Sequence, residues 1–176
     1  MRQILLGCYL PAALTASCAI PSGPVVPATL AVAPEQKLLL FASARGVQIY
    51  ECLADKNDAT RYAWSFSAPE AALFDEKGNN IGRHYAGPSW ESNDGSKVVG
   101  VVVARDEGPN ANAIPWLLLN AKSTSGTGVF SGTKSIQRIN TSGGKAPAEG
   151  CDASRAGIMI RIPYTATYRF YGSVSR

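Results

Sequence analysis

Apolar residues in this chain recur with a period of two. Nowhere do twelve consecutive residues carry the 3.6-residue period of an amphipathic helix. Tyr62, Trp64 and Phe66 alternate with Ala63 and Ser65, and Ile158, Ile160, Ile162 and Tyr164 do the same near the C-terminus. Residues 46–52 set Val47, Ile49 and Glu51 against Gln48, Tyr50 and Cys52. Successive side chains of a strand point to opposite faces, so each run reads as a strand with one face buried. The runs are short because turn formers cut them: 17 Gly and 11 Pro among 176 residues. Strands are expected at 37–44, 46–52, 61–67, 71–74, 81–85, 97–104 and 157–172, with a turn at Ala68-Pro69-Glu70 and a break at Gly87-Pro88 before Ser89-Trp90-Glu91-Ser92. One or two more lie in 129–141. Residues 114–121 suit either a strand or a short helix opening at Pro115. The fold class is all-β: an antiparallel sandwich or barrel of roughly eight to ten short strands with little helix.

The N-terminus reads differently. After Arg2 no charge occurs until Glu35, and an apolar run follows the positive tip, as in an export signal. As a helix that run would reach about 20 Å, short of the ~30 Å hydrocarbon core. Residues 1–19 are therefore expected to be a signal peptide. Leu14-Thr15-Ala16-Ser17-Cys18 is similar to a bacterial lipobox, which would make Cys18 the lipidated first residue, although Thr15 stands where the pattern has Leu, Val or Ile. Cleavage after Ala19 would instead release a free secreted protein. Residues 20–34, rich in proline, read as a tether or extended arm, and 35–176 as a single β domain. The expected location is extracytoplasmic, either lipid-anchored to the envelope or secreted. Two cysteines remain in the body, and export places them in an oxidising space, so a Cys52–Cys151 disulfide is expected.

A formal net charge of +4, spread along the chain, is too thin for a nucleic-acid footprint. There is a single histidine, His84. No metal site is expected, since His84, Glu91 and Asp94 lack the spacing of a known ligand loop. Any acid–base chemistry has one candidate set: His84 as general base, oriented by Glu91 or Asp94. A hydrogen-bonded structural histidine is the better reading of the same residues, with Asp94 as the turn residue before Gly95. No nucleophile elbow is present. The aromatic residues offer flat faces for a sugar ring or another flat ligand. Tyr85 and Trp90 are the candidate contacts, Trp90 being expected to be exposed because polar residues flank it.

Several strings together resemble one family. They are Gly46-Val47-Gln48-Ile49-Tyr50-Glu51-Cys52, Trp64 with Ala68-Pro69-Glu70-Ala71, and Gly82-Arg83-His84-Tyr85-Ala86-Gly87-Pro88-Ser89-Trp90-Glu91. Further along stand Asp94-Gly95-Ser96-Lys97-Val98-Val99-Gly100, Ala113-Ile114-Pro115-Trp116-Leu117-Leu118-Leu119, Ile136-Gln137-Arg138, the loop from Gly143 to Cys151, and Pro163-Tyr164-Thr165-Ala166-Thr167-Tyr168-Arg169-Phe170-Tyr171. In this order they are similar to the exported family catalogued as domain of unknown function 3455, over about residues 28–171. The resemblance implies no catalytic residues. Some fungal relatives carry a malate dehydrogenase label, but a nicotinamide site of the usual kind needs Gly-x-Gly-x-x-Gly between a strand and a helix. Here Gly126-Thr127-Gly128-Val129-Phe130-Ser131-Gly132 brings its third glycine one residue late and leads into no helix. No cofactor is expected.

The expected function is that of an exported ligand-binding or structural module of the envelope or surface, its partner a small molecule or glycan. No nucleic-acid partner is expected, and membrane contact would come only through a lipid on Cys18. The alternative is a small extracytoplasmic hydrolase or isomerase using His84 with a nearby carboxylate.

Overall fold

A computed structural model describes residues 25–173. Residues 1–19, expected to be a signal peptide, and with them Cys18, lie outside the described residues. Eight antiparallel strands run in chain order and close into a barrel: β1 (Gln36–Ala54), β2 (Tyr62–Phe74), β3 (Asn80–Tyr85), β4 (Ser89–Ser92), β5 (Lys97–Asp106), β6 (Trp116–Ser125), β7 (Thr133–Gly143) and β8 (Met159–Ser173). The architecture is the barrel, not the sandwich. Closure is made by β1 and β8, paired from Gln36↔Ser173 to Glu51↔Met159. Such closure removes the first and last strands as sheet edges and leaves the stretch of β2 before Ala71 without a second neighbour.

The eight strands fall within the expected eight to ten, but several are longer than expected. Residues 37–44 and 46–52 belong to one strand, β1, which passes through Arg45 without a turn. Residues 61–67 and 71–74 likewise form one strand, β2, with Pro69 inside it. Proline is tolerated there because β3 pairs with β2 only from Ala71 onward, whereas Pro69 has β1 alone as neighbour, opposite Gln48. The ambiguous stretch is strand β6, beginning just after Pro115. Residues 129–141 give a turn and one strand, β7.

The barrel interior pairs small residues with large ones. Ala42, Ala44 and Ala71 face Trp90, Leu119, Tyr168 and Phe170 in one buried cluster. Gly46 lies where β1 meets β2 and β8. A Cβ there would sit 2.1 Å from the Glu70 carbonyl oxygen. One end is plugged by Phe130 from the β6–β7 connection. Its ring packs 4.7 Å from that of Phe170.

Residues 25–34, expected as part of a tether, instead dock on the barrel wall. Leu30, in the short 3-10 turn Ala28–Leu30, is fully buried against Trp116 and Ile139. The Gln137 amide donates to the Leu30 carbonyl (2.7 Å). This strap lies over β5, β6 and β7 and adds cover to Gln137 and Ile139 on the outer face of β7, whose inward Ile136 is buried as well. A strand buried on both faces loses its clean alternation. The Cys52–Cys151 disulfide is formed, with a sequence separation of 99. It ties the end of β1 to the long β7–β8 connection. No described helix is long and apolar enough to cross a membrane.

Candidate functional site

Opposite the Phe130 plug the barrel stays open. The β1–β2, β3–β4, β5–β6 and β7–β8 connections all lie at that end. A cavity of about 550 Å³ enters the barrel there. Its volume falls within the roughly 300–1,000 Å³ range of small-molecule sites. Eight strands make a barrel just wide enough either to fill with side chains or to hold one small ligand. Both happen here, at different depths: aromatic and aliphatic packing fills the plugged end and leaves the mouth hollow.

The β3–β4 hairpin builds one wall. His84 and Trp90 lie directly opposite each other and face inward. Their rings stack at 4.5 Å, 12° from parallel, and Tyr168 meets His84 edge-on at 5.1 Å. Trp90 is 1% exposed, which corrects the expectation of an exposed indole. The polar flank of Ser89, Glu91 and Ser92 reflects a four-residue strand between two turns, and strand alternation still turns Trp90 inward.

That alternation also separates the expected catalytic set. Tyr85 and Glu91, one residue along from His84 and Trp90, project from the outer face. There the Tyr85 hydroxyl donates to Glu91 (2.7 Å), and Arg83 pairs with the same carboxylate at 2.9 Å. The Arg83 guanidinium and the Lys97 ammonium each lie 5.2 Å from the centre of the Tyr85 ring. These bonds, that of Tyr85 foremost, hold the Glu91 carboxyl below its usual range. Tyr85 therefore does not line the cavity. Asp94 stands at the plugged end. It accepts from the Ser96 backbone and hydroxyl (2.8 and 2.6 Å) and from the Val129 N–H (2.8 Å), and its pKa is lowered to about 2, chiefly by the Ser96 hydroxyl. Its work is to hold the loop that carries Phe130. Neither carboxylate orients His84.

His84 instead has its Nδ1 2.8 Å from the Ser89 carbonyl. A carbonyl only accepts, so Nδ1 carries the proton and Nε2 keeps its lone pair. Burial lowers the pKa to about 3. The ring is neutral at ordinary pH, a hydrogen-bonding wall group far from the near-neutral pKa of an efficient general base.

The residues that give the cavity its chemistry come from other strands. Gln48 and Tyr168 are almost fully buried in its wall, and Tyr164 is buried beside Gln48 without lining the cavity. The Gln48 amide nitrogen, the Trp90 indole nitrogen and the hydroxyls of Tyr164 and Tyr168 have no hydrogen-bond partner in the protein. Gln48, Tyr164, Tyr168 and Arg138 form a chain of neighbouring polar groups, each near enough to act on the next as a hydrogen-bonding neighbour, but the contacts fall short of full hydrogen-bond geometry. Desolvation pushes both phenols upward, so they are protonated donors. Such groups are costly to bury unpaired. Arg138 reaches the cavity from β7, its Nε and Nη2 both on the Pro115 carbonyl (3.1 and 2.9 Å). The sequence carries a trace of this: Arg138 is two residues from Ile136 and so shares its inward face. Among the described residues no three His, Cys, Asp or Glu side chains gather as a metal site.

The model of one protein family, described as a protein of unknown function (DUF3455), matches residues 33–172, the whole barrel except its last residue. The chain belongs to the DUF3455 family. No curated protein and no solved structure matches it. For this DUF3455 member, function is therefore read from the cavity itself.

Proposed function

We propose that this DUF3455 protein is an exported binding module that holds one small molecule in the open end of its barrel. One observation carries the reading: four buried polar groups with no protein partner cluster in and beside the wall of a 550 Å³ cavity that is otherwise largely apolar. Three of them, Gln48, Trp90 and Tyr168, line that space, and a molecule filling it can supply the hydrogen bonds that the protein makes poorly. Aromatic walls with a few convergent polar groups are the usual make-up of a ligand site. The His84 environment gives no comparable support to hydrolysis or isomerisation.

Tryptophan fluorescence and thermal-shift titrations across glycans, lipids, peptides and small organic compounds test the reading. Saturable one-to-one binding by at least one class is expected. It should be lost in Ser67→Trp, which places a bulky ring at the exposed rim, where Ser67 lines the mouth. Failure of every class to bind, or binding untouched by that block, would overturn it.

The disulfide accords with an oxidising compartment. We infer that export proceeds through residues 1–19, with a lipid on Cys18 as the finer reading. The intact mass of the mature protein tests this. A diacylglycerol-sized increment on a chain starting at Cys18 supports the anchor, a start at Ile20 supports free secretion, and retention of Met1 removes both.

A further inference from the structure

The charges around the cavity are of one sign. Arg138 and Arg105 line it and no carboxylate does. The ion pairs among the described residues are Arg83–Glu91 and Arg161–Glu70, so neither cavity arginine has an acidic partner there. Arg138 spends Nε and one Nη2 hydrogen on a single backbone carbonyl. That contact fixes the plane of the guanidinium; its remaining N–H groups make no other hydrogen bond of full geometry and have the Tyr168 phenol as a near neighbour. A guanidinium held in place with spare parallel donors matches an oxyanion. Around it stand neutral donors: the Tyr168 phenol and the Gln48 amide. The opposite wall is flat and apolar, made by Trp90 stacked on His84, and the half-exposed Phe66 and Val102 continue it to the rim.

We propose that the occupant is an organic oxyanion with a flat apolar body, its anionic head on Arg138 and its body along the Trp90 wall. This rests on the cavity being a ligand site and adds the class of ligand. Carboxylates and sulfonates share the head-group chemistry. The anion supplies the missing counter-charge, and the low-dielectric wall strengthens the attraction.

Two dyes with the same aromatic framework test it: 1-anilinonaphthalene-8-sulfonate, an anion, and N-phenyl-1-naphthylamine, its neutral counterpart. Affinities are measured by fluorescence on the full-length mature protein, for wild type, Arg138→Met and Arg138→Lys. In Arg138→Met the anionic dye should lose about tenfold or more in affinity while the neutral dye changes little, the scale of a charge-assisted hydrogen bond. Arg138→Lys should recover part of the loss. If both dyes bind and their affinity ratio is the same in wild type and Arg138→Met, the anion assignment fails and the cavity reading stands. If neither dye binds wild type, the anion assignment fails, and the titrations across ligand classes decide the cavity reading separately. Should Arg138→Met not fold, the Arg138→Lys ratio and the salt dependence of the anionic dye in wild type decide, a salt-independent affinity counting against the proposal.

Discussion

A single side chain shows how far the local sequence reached. His84 was conspicuous because it is the one histidine, and its neighbours Glu91 and Asp94 suggested a relay. Proximity along the chain could not say that strand alternation sends His84 and Glu91 to opposite sides of the barrel wall, nor that Asp94 lies in a turn at the other end. Trp90 was misjudged for the same reason: flanking polarity reports exposure poorly in a strand of four residues. Arg138 and Gln48, which shape the cavity, passed unremarked, because an arginine or glutamine in a β pattern ordinarily faces water. His84 nonetheless makes a sharp prediction. Its pKa is about 3 in the folded protein against an ordinary 6.5. Between those values the unfolded chain takes up a proton that the folded chain refuses, so stability falls as pH falls from 6.5 toward 3 and is flat above. Over pH 6.5 to 5 the loss should approach about 2 kcal/mol, a window above the titration of the carboxylates, whose described shifts are all downward. Urea unfolding across that range measures it. His84→Phe, which keeps a ring against Trp90, should remove the slope. An unchanged slope in the variant would assign the acid sensitivity elsewhere.

At the scale of elements, the strands were legible and their ends were not. Period-two alternation marks β2, β8 and the second half of β1 in the sequence, because each buries mainly one face, whereas β5 is marked by its β-branched apolar run. The alternation fades in β7, where the strap adds a second buried face. The break expected between 37–44 and 46–52 came from reading Arg45-Gly46 as punctuation. Gly46 is there for space rather than for a turn: its φ is not positive, and the Glu70 carbonyl and Ala71 crowd the place its side chain would take. Pro69 was read as a turn for a similar reason. It became a strand residue once β1 supplied one neighbour and the mouth left the other side free. That gap between β2 and β3 is also where Ser67 and Pro69 come to line the cavity. The residue that misled the strand assignment thus marks the opening of the site.

At the scale of the whole molecule, all-β architecture followed from the sequence, but closure did not. Sandwich and barrel share the same strand pattern, and only the pairing of the first strand with the last separates them. The disulfide was legible from export and cysteine count together, and its energetic role follows from where it lies. The β1–β8 seam is already continuous from Gln36 to Glu51. Beyond it, the connection bearing Cys151 is held independently: Cys52 N–H donates to Ile158, Gly157 N–H donates to Cys52 (2.9 Å each), and the Trp64 indole donates to Glu149 (3.0 Å). Reduction should therefore leave the barrel folded and act mainly on the unfolded chain, which loses a restraint across 99 residues of separation. The expected cost is about 2–5 kcal/mol, read as a lower urea midpoint in the Cys52→Ser/Cys151→Ser double variant or under reductant. Native far-ultraviolet circular dichroism should persist at low urea. Ligand binding should survive with a modest loss, because the cavity wall is set by strand pairing while the tied connection only borders the mouth. An unchanged midpoint with both thiols titrating as free would show that the bond adds no stability. A collapse of the spectrum on reduction would show that the seam does not hold by itself.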